Sequence, residues 1–572
     1  MKDVVGPEPA VEAVSRRSVL QGGVGIGLGA ILPNLQLNEL TAASGRSTAD
    51  EPAVIATSNT GLVETTDGQV VGFIRRRIYT YKGIPYGAPT SGSNRFQAPK
   101  APSPWKEIRS CRHWGPIAPQ STRSDGRHDD EESFLFDWND ATQRVYSAGQ
   151  GEDCLCLNIW TPSIMDGKRR PVMFWIHGGG FSNGSGNEQL AYDGENLSRR
   201  GEVVVVSVNH RLNALGFLDL SHYGEAYKDS ANAGMLDLVL ALKWVRDNIE
   251  RFGGDPGLVT IFGQSGGGAK VGTLMAMPGA KGLFHRAIVE SGSMLRATEQ
   301  TKSRKLADAI VTELGLDASS IDRISQLPVE EILRATSRVM QTHDAKSAGE
   351  RLGFGPVLDG ISLPNHPFDP VAPSITSDVP MIIGSTLNEF TSATNHPELA
   401  TMTEAELEQK VRENHGNATD NILQRFRQTM PQATPFQRWS VINTATSRDG
   451  AIRQCVAKAA LGKAPAYLYW FTWVTPLLDE RPGAFHCAEI PFVFFNTDRC
   501  DTMTGGGQRP RALAEKMSDC WIQFARTGDP NHPGIPQWLP FNSDSVPTMI
   551  FDDRPTLGLN PDDAQRKSVL EP

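Results

Sequence analysis

A serine set among glycines, Gly263-Gln264-Ser265-Gly266-Gly267, follows the apolar run Val259-Thr260-Ile261-Phe262 directly and leads into Gly268-Ala269-Lys270-Val271. Strand, sharp turn and helix start, in that order, are the setting in which a G-x-S-x-G turn presents a nucleophilic hydroxyl. The turn holds its serine in a strained backbone conformation, so the neighbours two residues away must lack side chains, as Gly263 and Gly267 do. It also places the hydroxyl at a helix N-terminus, where free amides and the helix dipole favour negative charge developing on a carbonyl oxygen under attack. A second element, His177-Gly178-Gly179-Gly180-Phe181, follows the apolar run that ends at Ile176. Its main-chain amides are suited to hold that oxygen; the Lys-Ser/Thr ending of a phosphate-cradling loop is missing. His177, tied to this loop, reads as a residue that orients it. The chemistry these elements suit is acyl transfer through a serine.

A serine hydroxyl needs a base, and the base needs a carboxylate to orient it. Of the twelve histidines, those after Ser265 are His285, His343, His366, His396, His415, His486 and His532. The chain order nucleophile, acid, histidine restricts the base to this group. Asp359, Glu389 and Glu489 are the carboxylates that compete for the acid.

These groups require a scaffold. Short apolar runs recur at Val172–Ile176, Val203–Val208, Val259–Phe262, Ala287–Val289, Met381–Ile383 and Ala466–Phe471, with helical patterns between them. Such near-continuous runs fit strands buried on both faces of a largely parallel sheet, and the alternation predicts an α/β fold. Between Gly234 and Arg251, Met235, Leu238, Val239, Leu242, Val245 and Ile249 recur at helical spacing, predicting one amphipathic helix packed on the sheet. Charged helical stretches over Thr298–Met340 and Thr403–Arg427 interrupt the rhythm as excursions suited to capping a pocket. Residues Ser121–Gly151 form a polar loop, acidic from Asp129 to Glu132, whose Phe134, Phe136 and Trp138 suit a gorge wall or an anchor to the body.

Composition excludes several classes. Glycine and proline, 55 and 38 of 572 residues, are too few for a low-complexity chain, and 39% hydrophobic content fills a large core. A net charge of −9 offers no basic field for nucleic acid. The seven cysteines, at 111, 154, 156, 455, 487, 500 and 520, include no pair with zinc-ribbon or redox spacing. At the N-terminus, Ser15-Arg16-Arg17-Ser18-Val19-Leu20 precedes a Gly-rich apolar run from Gly22 to Leu32 and the small residues Thr41-Ala42-Ala43. This order reads as a twin-arginine export signal over residues 1–43, with a mature periplasmic or secreted domain over 44–572. The run is too short and too Gly-diluted to span a bilayer, so no stable membrane insertion is expected once the signal is removed.

Several motifs together resemble the type-B carboxylesterase family, an α/β-hydrolase group that also includes cholinesterases and the non-catalytic neuroligins. They are Tyr81-Lys82-Gly83-Ile84-Pro85-Tyr86, Arg95-Phe96, Glu152-Asp153-Cys154-Leu155 with Leu157-Asn158, the Gly178–Phe181 run, Asn209-His210-Arg211, Gly253-Gly254-Asp255-Pro256, the serine turn, and Glu290-Ser291-Gly292-Ser293. The resemblance runs from about residue 55 to beyond 540. It implies an α/β-hydrolase fold: a large, mostly parallel central sheet flanked by helices, with helical excursions capping the site. It also implies a serine carboxylic-ester hydrolase working through an acyl-enzyme.

By that resemblance the base is His486, in Pro482-Gly483-Ala484-Phe485-His486-Cys487-Ala488-Glu489-Ile490-Pro491-Phe492, and the acid is Glu389, just beyond Met381-Ile382-Ile383. Asp359 falls in a segment that is structural in the family. Glu489 lies too near His486 along the chain to aim at the outer ring nitrogen. Amides of Gly179, Gly180 and Gly266 form the expected oxyanion hole, and Phe181, Gln264, Trp138, Phe354 and Phe390 are candidates to line the substrate pocket. Arg95 and Glu152 resemble the family's structural ion pair.

This sequence departs from the family pattern at Gln264, where glutamate is usual, which disfavours cationic esters. It departs again at Gly266, where alanine is common. The family's loop disulfide ends at the cysteine matched by Cys154, while its partner position matches Ala118, so Cys111 substitutes or Cys154 is free. The expected substrate is a small-molecule ester, with no metal or organic cofactor and no nucleic acid. An amidase or carbamate hydrolase would use the same groups, and a non-catalytic adhesion protein is the alternative from another class.

Overall fold

A computed structural model of the 572-residue chain describes residues 52–121, 130–137, 149–346 and 352–571. The twin-arginine segment, the boundary at residue 44 and Trp138 lie outside the described residues. No helix among the described residues is long and apolar enough to cross a membrane.

The apolar runs become strands of one twelve-stranded sheet. In chain order these are β1 (Val54–Ile55), β2 (Phe73–Arg75), β3 (Ile78–Pro85), β4 (Cys156–Thr161), β5 (Arg170–Ile176), β6 (Val204–Val208), β7 (Gly254–Gln264), β8 (Arg286–Glu290), β9 (Met381–Thr386), β10 (Ala466–Phe471), β11 (Pro547–Phe551) and β12 (Thr556–Leu559). Their spatial order is β1-β2-β3-β4-β6-β5-β7-β8-β9-β10-β11-β12. From β6 to β11 every neighbouring pair is parallel. Antiparallel strands finish both edges. All seven residues of β5 and all five of β6 are buried, as strands covered on both faces must be.

Register sets where chemistry can occur. Gly263 of β7 pairs with Ile176 of β5 and with Val289 of β8, so the segments after Ile176, Gln264 and Glu290 leave the sheet together at one carboxyl edge. That edge is where open α/β sheets place their ligands.

Two apolar cores flank the sheet. One packs helix α1 (Ala233–Asn248) through Met235, Leu238, Leu242 and Val245, the stripe expected from the sequence. The other packs a later helix, Gln508–Thr527, through Leu513, Met517, Trp521 and Phe524. Helix α2 (Gly266–Ala276) starts at the serine turn and is buried along its whole length.

The charged excursions form helices α3 (Gln300–Glu313), α4 (Val329–Lys346), α5 (Glu404–His415) and α6 (Thr419–Thr429). The first pair does not line this carboxyl edge. Leu306, Ala307 and Ile310 of α3 pack instead on Leu215, Leu218 and Tyr227, which satisfies their apolar stripe away from the serine. The second pair rests on helix α7 (Pro435–Ala459), which the sequence reading did not single out.

A buried ion pair anchors the segment after β6. Arg211 and Asp237 are 2% and 0% exposed and meet at 2.6 Å, with Arg211 also donating to the carbonyls of Gln97 and Ala233. Arg95 and Glu152 form a bidentate pair at 2.7 and 2.6 Å, and the guanidinium also donates to the carbonyls of Ile324, Ser325 and Leu327. Cys111, Cys154 and Cys156 are buried and make no disulfide. Replacing Arg211 by leucine leaves Asp237 buried without its counter-charge and should destabilise the protein by about 3–5 kcal/mol. The urea midpoint reads this directly; an unmoved midpoint would contradict it.

Candidate active site

Ser265 caps α2 with φ 57° and ψ −124°, a strained positive-φ conformation outside the left-handed helical region and held by its surroundings. Its amide donates to the Glu290 carbonyl at 2.8 Å, tying the turn to the end of β8. The flanking glycines are sterically required. A Cβ at Gly263 would lie 2.6 Å from the Ile176 carbonyl oxygen, and one at Gly267 would strike the same oxygen.

Gly266 is also fixed by contact. A Cβ there would collide with the Gly180 carbonyl and sit 2.5 Å from the Gly180 Cα, so the Gly178–Gly180 loop rests directly on the first residue of α2. The glycine where alanine is common thus permits a closer seat for the loop, a steric role its sequence position did not disclose. Gly179 and Gly180 both take positive φ, 78° and 61°. Gly179 carbonyl accepts from the amides of Ser182 and Asn183, closing a tight turn.

Glu389 and His486 are brought together by two zipped loops. The His486 amide donates to the Glu389 carbonyl at 2.9 Å, and the Asn388 amide to the Ala484 carbonyl at 3.0 Å. Asn388 Oδ1 accepts from the Ala484 amide at 2.9 Å, while its Nδ2 donates to Ser440 Oγ on α7 at 2.8 Å. In that frame His486 Nδ1 donates to Glu389 Oε2 at 2.5 Å, and Glu389 Oε1 accepts from the Thr386 amide at 2.9 Å. Burial opposes charge on the ring, but the adjacent Cys487 and the Glu389 carboxylate outweigh it and hold the His486 pKa well above the ordinary imidazole value.

Gln264 braces this arrangement from the serine side. Its Nε2 stands 3.4 and 3.3 Å from the two ring nitrogens of His486, and its Oε1 accepts from the Cys487 thiol at 3.1 Å. Glu489 sits beneath, accepting from Ser291 Oγ at 3.3 Å, its pKa pushed up to about 7 by burial and by the neighbouring Glu389. Asp359 lies elsewhere, accepting from Asn232 Nδ2 and from the amides of Ile361 and Leu363.

Two cavities share Ser265. The larger, about 560 Å³, is lined by Gly179, Gln264, Glu389, His486 and Cys487 together with the rings of Phe136, Tyr192, Phe390 and Phe485. The smaller, about 360 Å³, lies between Gly266, Ala269, Ser291–Met294 and Gly384 on one side and Thr446, Ser447 and Gly450 of α7 on the other.

Phe390 is 73% exposed and its ring centre is 4.2 Å from that of His486, so it roofs the histidine. Phe181 turns away from the larger cavity to pack edge-on against Phe217 at 5.3 Å. Phe354 packs between two apolar cores. Within the long acidic loop, Glu132, Leu135 and Phe136 do line the larger cavity. Tyr192 and the α7 hydroxyls belong to no recognisable spacing, and Cys487, although it follows His486 in the chain, carries no signal there of its contact with Gln264; only proximity in three dimensions gathers them.

Residues 59–568 match the carboxylesterase family. The chain belongs to that family. It is 33% identical over 515 residues to the para-nitrobenzyl esterase of Bacillus subtilis, covering 89% of this chain and 98% of that one. It is likewise 33% identical over 510 residues to the phenmedipham hydrolase of Pseudarthrobacter oxydans, covering 86% of this chain and 95% of that one. Among solved structures, an esterase from Clostridium hathewayi described as able to hydrolyse aliphatic aromatic polyesters superposes with a TM-score of 0.77. It is 38% identical and covers 90% of this chain and 98% of its own. The carboxylesterase of Geobacillus stearothermophilus superposes with a TM-score of 0.72 at 34% identity, covering 89% of this chain and 99% of its own. This carboxylesterase therefore has the α/β-hydrolase fold.

Because the Gly180 carbonyl leaves no room for a methyl group at position 266, Gly266→Ala should push the loop away from the serine. Turnover of a nitrophenyl ester should fall by about tenfold or more. A variant retaining wild-type kcat would show that the loop has no such seat.

Proposed function

We propose that this carboxylesterase cleaves esters by covalent catalysis, with Ser265 as nucleophile, His486 as general base and acid, and Glu389 as the carboxylate that orients the histidine. The observation that carries the reading is the 2.5 Å Glu389–His486 hydrogen bond, made in the same cavity that Ser265 lines. Glu389 holds Nδ1, leaving Nε2 to receive the hydroxyl proton. The serine oxygen attacks the ester carbonyl, and the carbonyl oxygen takes the negative charge. The amides of Gly179, Gly180 and Gly266 then stabilise that charge. Imidazolium passes its proton to the departing alcohol, leaving an acyl-serine. Water, deprotonated by His486, attacks the acyl carbon and releases the acid with the serine restored.

Gln264 keeps the side-chain length of glutamate without its charge, so it steadies the His486 ring and adds no anion beside the nucleophile. We further infer export of the folded domain, supported by the arginine pair and the apolar run after it.

Ser265→Ala should abolish labelling by a fluorophosphonate at the Ser265 peptide and reduce short-chain nitrophenyl ester hydrolysis by about 10⁴-fold or more. Wild-type rates in that variant would overturn the assignment. The base works as free imidazole, so activity rises as His486 loses its proton. With its pKa held up, the acid limb of the kcat/KM profile should lie above pH 6.5. Glu389→Gln removes the charge that favours the imidazolium, so the limb should move to lower pH while the plateau falls. A limb that stays in place would exclude Glu389 as the partner.

A further inference from the structure

Lys270 lies one turn into α2 from the serine and is completely buried. Its Nζ donates to the His177 carbonyl at 3.1 Å and stands 5.5 Å from the centre of the Phe181 ring. These two contacts lie at opposite ends of the Gly178–Gly180 loop, so one terminal amino group touches both ends. The groups that face it are His177 from the end of β5, His210 from the end of β6, and Glu188 from the segment beyond the loop. The two imidazoles stack at 4.9 Å and are kept neutral by burial, which lowers both pKa values. Glu188 acts on Lys270 through space, and among the described residues no carboxylate reaches salt-bridge distance of it.

Burying an ammonium without a paired carboxylate is costly. Methionine would fill the same volume without that cost but would remove the donor to the His177 carbonyl, so what the lysine adds is its tie to the loop. Burial pulls its pKa down to about 7, and the nearby Glu188 only partly offsets this.

We propose that Lys270 is a positioning residue for ester hydrolysis: through the His177 carbonyl and the Phe181 ring it fixes the Gly178–Gly180 amides relative to Ser265. Helix α2 carries Ser265 at its cap, Gly266 as the seat of the loop and Lys270 as its tether, so nucleophile and loop share one rigid frame. The inference rests on reading Ser265 as the nucleophile and Gly179 and Gly180 as oxyanion donors.

The test compares Lys270→Met, which keeps the apolar stem, Lys270→Gln, which keeps a neutral donor, and Lys270→Arg, which keeps the charge. Active sites are counted by fluorophosphonate titration, and kcat and KM are expressed per titrated site. Affinity is measured for a trifluoromethyl ketone, which forms a tetrahedral oxyanion on the serine.

In Lys270→Met, kcat per site should fall by about 10- to 100-fold with KM within about twofold, and ketone affinity should weaken by the same factor. Lys270→Arg should recover most of the loss. Lys270→Gln should lie between, and it carries the test if the methionine variant does not fold. Wild-type kcat per site in Lys270→Met or Lys270→Gln, or a fall in kcat with ketone affinity unchanged, would overturn the proposal. A wild-type protein that the fluorophosphonate does not label would overturn the reading of Ser265 instead.

Discussion

Main chain packed against main chain around Ser265 is the constraint on which the site depends. Gly263 and Gly267 let the turn close on the Ile176 carbonyl, Gly266 lets the Gly180 carbonyl settle on α2, and a Cβ at Gly292 would strike the Ser265 carbonyl. A single methyl group at any of these positions would pry segments apart. The serine holds φ 57° among the backbone segments packed around it, and the parallel strands beneath keep those segments in place.

The scaffold and the chemistry are therefore linked through register rather than through individual side chains. Pairing of Gly263 with both Ile176 and Val289 brings the loop, the turn and the Glu290 segment out at one level. Farther along the same edge, β9 and β10 deliver the loops that carry Glu389 and His486, which Asn388 then fastens together and to α7. Placement of Glu389 beside His486 thus draws on the neutral side-chain amide of Asn388.

Much of this was legible in the chain itself. Strands buried on both faces announce themselves as apolar runs, and in α1 the apolar positions Met235, Leu238, Leu242 and Val245 recur at helical spacing, although only Lys243, Arg246 and Asp247 of the helix are exposed. Helix α7 gave no such stripe: Phe436, Trp439 and Ile442 are buried, but so are Arg438, Arg448, Gln454 and Lys458. Its start was nonetheless written locally, in Thr434 and Gln437, which cap one another's amides, with Pro435 at the first position. The serine turn and the glycine loop could be read because their geometry demands particular residues at fixed offsets. Asn388, Cys487 and Lys270 could not, since their partners lie 52 to 223 residues away along the chain and only the fold makes them neighbours.

The two cavities that meet at Ser265 differ in size and in character, one broad and ringed by aromatics, the other narrow and rich in hydroxyls. An acyl carbon bound between them has unequal compartments on its two sides. A racemic ester with a branched stereocentre beside its carbonyl therefore meets a handed environment, because exchanging its large and small substituents exchanges the compartments they must enter. On the proposed reading of Ser265 as nucleophile, the asymmetry of this space would favour one enantiomer of such an ester over the other.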